Sequence, residues 1–398
     1  MRRLYIAHLI VILAFAASAF AQKSTGGSYQ VATLTGSDST ADSQFGNPSA
    51  ISGDTVVVGD IGAGAVYVFV KSADGWQNST QVAKLTPSIS NTGDFGGSVA
   101  ISGNTIVVGA SFANSDQGVV FVYVEPAGGW ADMTETAQLA GTSSFGLGLS
   151  VAISGNTIVA GSAYAGYVYE KPSSGWVDMT EVAQLSNPAA YGSGSPVAVS
   201  GNTIIVVAGG CCNEGQNYPG EADVFVKPST GWVTKNIPNA ALMGSDETAD
   251  DFYGSALSMS GDTVVVGAYY HHNQVGAAYV FVKPTQGWKS MTQTAELTRP
   301  LGQPNDEFGS AVSIAGNTIA VAAYNHFTTP GGAIYTYVKP ASGWHTTSQA
   351  TSELLPPAGQ GDSLGYTVGV SGGAVMAGNP FATINSQQNQ GAVLIFSH

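Results

Sequence analysis

Charge is scarce in this chain, and what there is has mostly one sign. Charged residues make up 10% of the 398, against roughly 25% in ordinary soluble domains. Lys and Arg number 12 against 26 Asp and Glu, for a formal net charge of −14. Nucleic acid and anionic membrane surfaces both demand a clustered basic patch, so neither is an expected partner. Long apolar runs are missing beyond the first 21 residues, since each later run breaks after a few positions, and no membrane insertion is expected. No helical periodicity appears. No Gly-x-Ser-x-Gly elbow, phosphate-cradling loop or His-Glu-x-x-His motif is present, which removes the common signatures of hydrolases, nucleotide binders and zinc peptidases.

Glycine is abundant, at 52 residues, and its positions repeat. Seven times a unit of about 53 residues returns, a period that marks a stacked-repeat architecture. Each unit runs from an aromatic-Gly pair through a short β-run, a Ser-Gly-Asn or Ser-Gly-Asp turn and a Val/Ile run closing in Gly-Ala, then a Val-Tyr-Val-Phe-Val run and Gly-Trp. The pairs are Phe45-Gly46, Phe95-Gly96, Phe145-Gly146, Tyr191-Gly192, Tyr253-Gly254, Phe308-Gly309 and a degraded Leu364-Gly365. The turn glycines are Gly53, Gly103, Gly155, Gly201, Gly261, Gly316 and Gly372. All six tryptophans, Trp76, Trp130, Trp176, Trp232, Trp288 and Trp344, follow a glycine at the same point of a repeat.

In the second repeat, strands are expected at 97–102, 105–110, 119–125 and 135–140, the first two joined by a Gly-Asn type II′ hairpin. Four antiparallel strands per repeat and seven repeats predict an all-β, seven-bladed β-propeller. Low charge then means buried sheet. Strand four carries an Ala-x-Leu signature at Ala83/Leu85, Ala137/Leu139, Ala183/Leu185, Ala240/Leu242 and Ala295/Leu297, and as Ser352/Leu354. A seventh copy, Ala32/Leu34, precedes the first strand one, so residues 29–35 are expected to close the ring as the outer strand of the last blade.

Residues 1–21 read as a signal peptide. Arg2 and Arg3 precede an apolar stretch, and Ala19-Phe20-Ala21 suits signal peptidase. The remainder, 22–398, is one propeller domain with repeats starting near 45, 95, 145, 191, 253, 308 and 364, expected to be secreted or periplasmic and monomeric.

Phe95-Gly96 with Val99 to Ala110, Val-Ala-Ile-Ser-Gly-Asn-Thr-Ile-Val-Val-Gly-Ala, resembles the FG-GAP repeat of integrin α-subunit propellers and of exported bacterial FG-GAP repeat proteins. The resemblance spans all seven copies, although Gly109-Ala110-Ser111 lacks the family's proline. It implies ligand recognition and cell adhesion without catalysis. Calcium-binding relatives carry an Asp-x-Asp-x-Asp-Gly loop between strands one and two, whereas here that turn is Gly-Asn, Gly-Asp or Gly-Gly. No cofactor is therefore expected, apart from weak calcium binding in the acidic four-to-one loops around Asp38, Asp94, Asp246 and Asp250. Turn capping is the commoner use of such acids.

Function should sit where repeats differ, on the face formed by the two-to-three and four-to-one loops. Two of those loops stand out. Cys211-Cys212 are the only cysteines, and a vicinal disulfide between them sets Cα atoms about 3.8 Å apart, below the usual range; packed free thiols and a redox or metal role are the alternatives. Tyr269, Tyr270, His271 and His272, with His326 in the next repeat and Asp246, Asp250 and Asp306 nearby, form the candidate ligand-binding set. Three imidazoles beside carboxylates suit a zinc site or an acid-base pair. Adjacent His271 and His272 on an extended backbone point apart, however, which favours surface decoration. The tryptophans read as structural packing on the opposite face. The expected function is binding of an extracellular protein or glycan. An extracellular lyase or hydrolase and a structural component of an assembly stand as rivals.

Overall fold

A computed structural model of the chain describes residues 30–189, 195–209, 219–324, 331–357 and 363–397. Among the described residues seven sheets are present, each built on four antiparallel strands that run in sequential order from the channel outward in six blades, while in the seventh the outermost strand is the N-terminal Gln30–Leu34. In blade 2 these are Ser98–Ser102, Thr105–Ala110, Val119–Val124 and Ala137–Ala140, within two residues of the expected spans. The innermost strands of neighbouring blades contact one another around the whole ring. Residues 1–21, Tyr191-Gly192, Cys211, Cys212 and His326 lie outside the described residues.

The repeated sequence is explained by contacts between blades. Seven hydrophobic clusters form the core, and each draws on two adjacent blades. In four of the pairs the aromatic packs against a strand-three ring of its own blade: Phe45 on Tyr67 (5.5 Å between centroids), Phe95 on Phe121 (5.3 Å), Tyr253 on Tyr279 and Phe308 on Tyr335. The serine of each Ser-Gly turn reaches the next blade. Ser52 Oγ accepts from the Gly103 N–H, and Ser102, Ser154, Ser200 and Ser260 repeat the bond to Gly155, Gly201, Gly261 and Gly316. Ser371 closes the cycle onto Gly53 at 2.8 Å. Trp130, Trp176, Trp232 and Trp344 are buried, and Trp76 and Trp288 pack against the same kind of inter-blade cluster.

Two features depart from the expected pattern. The segment after the tryptophan pairs in parallel with strand four of the preceding blade, most fully where Met179–Thr180 adds to Ala137–Ala140 and Met291–Thr292 adds to Ala240–Met243, giving two five-stranded sheets. In the third repeat the landmark pair sits two residues later than its sequence suggests. Leu147 is fully buried and bridges Gly118, the Gly148 N–H donates to Gly161, and Phe145 is 54% exposed. Two overlapping apolar-Gly pairs, Phe145-Gly146 and Leu147-Gly148, compete for one slot, and the smaller side chain takes it.

Gln30–Leu34 pairs antiparallel with Ala392–Ser397, with Leu34 opposite Val393. Ala32 and Leu34 join Phe45, Tyr67 and Ile395 in the cluster between blades 7 and 1. Deleting residues 22–36 therefore exposes a strand edge and part of one inter-blade core. Scanning calorimetry should show a melting temperature lowered by roughly 10 °C or more; an unchanged melt would refute the closing role of this strand.

Candidate functional site

The four-to-one and two-to-three loops open on one face, around the channel mouth. The channel itself, about 280 Å³, is lined by strand-one residues such as Ala50, Ala100, Ala152, Ala198, Ser258 and Ser313, with no titratable side chain among the described residues that line it. At its mouth lies a larger cavity of about 620 Å³, walled by Phe252, Tyr269, Tyr324 and Tyr366, with Glu307 and the hydroxyl-bearing Ser150, Ser195, Ser255 and Ser310. The rings are set against one another: Tyr324 and Tyr366 meet edge to face at 5.4 Å, and Phe252 lies 5.3 Å from Tyr269. Burial, with smaller contributions from Tyr366 and Glu307, pushes the Tyr324 phenol up to about 12. The cavity thus offers apolar faces, neutral hydroxyls and one carboxylate.

Directly behind Phe252 and Tyr269 stands the tyrosine-histidine loop. Tyr270 packs 4.7 Å from Phe252, and then the chain turns through His272 (φ 51°, ψ 51°), Asn273 and Gln274, all left-handed. The extended backbone assumed from the sequence is absent here. Because of the turn, the His271 and His272 rings stack 3.8 Å apart instead of pointing to opposite sides. His271 is 1% exposed, which also overturns its reading as surface decoration. Its Nδ1 lies 2.8 Å from Asp251 Oδ2, and its Nε2 lies 3.6 Å from Asp246 Oδ2.

Of the residues singled out in the sequence, Tyr269, Tyr270, His271, His272 and Asp246 come together. Asp250 is exposed. Asp306 is buried in an ion pair with Arg299 at 2.7 Å, and it accepts the Gln303 N–H, a turn-capping use. Asp94 likewise accepts from Ser111 Oγ and the Phe112 N–H, and Asp38 from Tyr67 and Lys84. Phe252 and Tyr366 were missed, although both flank the aromatic-Gly positions; Asp251, part of the acidic loop, takes the place of Asp306, three residues before the landmark glycine and accepting the N–H three residues earlier.

One buried acid breaks the strand-three pattern. Asp223 fills the slot taken by Tyr67, Phe121, Tyr167, Tyr279 and Tyr335 in other blades. It is fully buried. Burial and then the Glu221 charge push it up to about 7, offset in part by Asn187. Because the folded value lies above the unfolded one near 3.9, folding favours the protonated acid. Its stability contribution is intact below about pH 4, falls by up to about 1.4 kcal/mol per pH unit towards pH 7, and is flat above. Urea denaturation at pH 4 and pH 8 should show Asp223→Asn about equal to wild type at the lower pH and more stable at the higher. An equal difference at both would rule out this account.

Comparison with known proteins follows the same lines. Segments 29–69, 79–123, 239–281 and 291–337 match the family model of the FG-GAP repeat. No curated protein matches the chain. Among solved structures, the WD40 β-propeller domain of Doa1 is 11% identical, aligning over 94% of this chain and 98% of its own with a TM-score of 0.56. The computationally designed Ika8 protein is 15% identical over 93% of this chain and all of its own, with a TM-score of 0.50. At these identities the likeness concerns the fold alone. With the matching segments, seven blades and the aromatic-Gly seams between them, the chain belongs to the FG-GAP repeat proteins.

Proposed function

We propose that this protein is an exported, monomeric and non-catalytic binding module whose channel mouth holds a segment of carbohydrate. The carrying observation is the 620 Å³ cavity with Phe252, Tyr269, Tyr324 and Tyr366 in its wall. Flat aromatic faces cover the C–H faces of sugar rings, while hydroxyls and a carboxylate pair with sugar hydroxyls. Cleavage of a glycan calls for two placed acid-base groups. Glu307 is the one carboxylate among the described residues that line the cavity, and the channel below adds none, which supports binding over turnover. The leader-like residues 1–21 support export, and among the described residues no helix is long and apolar enough to cross a membrane.

A second reading, an extracellular protein partner, is favoured by one separate observation. Phe112 (60% exposed), Phe145 and Tyr164 (68%) stand out from the loops of blades 2 and 3 on the same face, and exposed aromatics of this kind anchor protein interfaces.

A glycan array followed by calorimetry on the strongest hit separates the two. Tyr269→Ala and Tyr366→Ala should each weaken binding by roughly tenfold or more, with melting temperatures close to wild type. Undiminished affinity in both variants would sink the cavity as the site. Loss of binding in Phe112→Ala and Tyr164→Ala alone would transfer it to the rim.

A further inference from the structure

The histidine loop of blade 5 has a counterpart that shows which of its features the fold requires. In blade 2, Asn114, Ser115 and Asp116 have the same left-handed backbone as His272, Asn273 and Gln274. The Gly118 N–H donates to the Ala113 carbonyl at 3.0 Å, as the Gly276 N–H does to the His271 carbonyl at 2.9 Å. The turn therefore closes with a buried alanine where blade 5 has His271, and with Asn114 where it has His272. Neither imidazole is needed to form the turn.

The carboxylate facing these rings also has a counterpart. In blade 1, Asp38 accepts from the Tyr67 hydroxyl at 2.6 Å and takes the Lys84 ammonium on its other oxygen. Asp246 likewise accepts from the Tyr279 hydroxyl, at 3.0 Å. Glu296, however, stands opposite Tyr279 where Lys84 stands opposite Tyr67. Blade 5 thus has an anion where blade 1 has a cation, as blade 6 does with Glu353. Asp246, Asp251 and Glu296 leave the pair of imidazoles in strongly negative surroundings.

The geometry of His271 is that of a prepared ligand. A carboxylate cannot donate when ionised, so Asp251 Oδ2, which also accepts the Thr248 N–H at 2.6 Å, takes a proton-bearing Nδ1 from His271. That fixes the tautomer and leaves the lone pair on Nε2, the arrangement by which outer carboxylates orient metal-binding histidines. Nε2 is buried and has no hydrogen-bond partner among the described residues. It faces Asp246 Oδ2 at 3.6 Å, too far for an N–H···O bond and close to the roughly 3.3 Å that separates ligand atoms around tetrahedral zinc. The donor atoms of Asp246, His271 and His272 all lie within 4.8 Å of one another. Tyr279 holds Asp246 through Oδ1 with Oδ2 turned to His271 Nε2, and the exposed His272 ring closes the remaining distance by rotating inward.

We propose that Asp246, His271 and His272 bind a divalent transition metal of the zinc class, with Asp251 as a positioning residue behind His271. Two imidazoles and one carboxylate suit zinc and its first-row neighbours, and they supply too few oxygens for calcium. Three protein ligands leave a position open to solvent, where a water or a donor atom of a bound partner completes the shell. The site stands independently of the carbohydrate reading.

The test uses untagged full-length protein, dialysed against chelator and then titrated with Zn²⁺ at pH 7.5 by calorimetry, with elemental analysis of the dialysed complex. About one zinc per chain is expected. His272→Ala and Asp246→Asn should each weaken binding by roughly tenfold or more, and His345→Ala, on the opposite face, should leave it unchanged. Both informative positions are exposed, so metal-free melting temperatures near wild type are expected and certify that the fold is intact. Substituting Co²⁺ should give visible absorption bands that His272→Ala removes. Sub-stoichiometric zinc, zinc binding undiminished in both variants, or calcium binding in preference to zinc would each overturn the proposal.

Discussion

Backbone packed against backbone at the blade junctions is the constraint on which the rest of the structure depends. A Cβ placed on Gly267, in strand two of blade 5, would lie 2.0 Å from the Gly309 carbonyl oxygen of blade 6. Gly59 against Gly96, Gly109 against Gly148, and Gly378 against Gly46 repeat the contact at 2.3, 2.2 and 2.2 Å. The strand-two glycine of one blade and the landmark glycine of the next are therefore two sides of one seam. With the blades that close, valines and leucines of neighbouring sheets interlock, and the Ser-Gly turns come within bonding distance. The seam is not uniform: Val207 meets Gly254 between blades 4 and 5, and Ala322 meets Gly365 between blades 6 and 7. At those junctions one side chain fills what elsewhere is backbone contact.

This is why so much of the fold was legible in the sequence. Phe95-Gly96, the Gly-Ala that closes strand two, the turn serine and the Gly-Trp each serve an inter-blade contact, and each recurs because the junction recurs. Where a junction admits two solutions, periodicity alone misleads, as at Phe145 and Leu147. The candidate site was legible only in part. Which way two adjacent side chains point depends on the sign of φ, and nothing about His271-His272-Asn273 as a string announces a left-handed run. The cavity is harder still, since Phe252, Tyr324 and Tyr366 come from three blades and meet only because the ring brings strand ends together. Asp223 was hidden by its setting: a single acid inside a Val-rich strand draws notice only once its aromatic equivalents are aligned.

The division of labour that emerges is between a scaffold and its exceptions. Aspartates that recur, such as Asp38, Asp94 and Asp306, are consumed by turn amides, hydroxyls, Lys84 or Arg299. Blade 5 keeps the scaffold and changes what it presents. His271 stands where blade 2 has Ala113, Glu296 stands where blade 1 has Lys84, and an aromatic cluster joins this loop to the channel mouth. Chemistry accumulates where the repeat has been edited without disturbing its seams.

The seam itself is best tested by comparing two glycine substitutions. Gly267→Ala adds one methyl group at the junction of blades 5 and 6, whereas Gly128→Ala adds it where nothing lies within 4 Å. Neither glycine has a left-handed backbone, so steric overlap alone distinguishes them. Equilibrium denaturation in urea should show Gly267→Ala destabilised by about 3 kcal/mol or more and Gly128→Ala within about 0.5 kcal/mol of wild type. Equal stability of the two variants would contradict the claim that glycine-to-glycine contact sets the spacing of the blades.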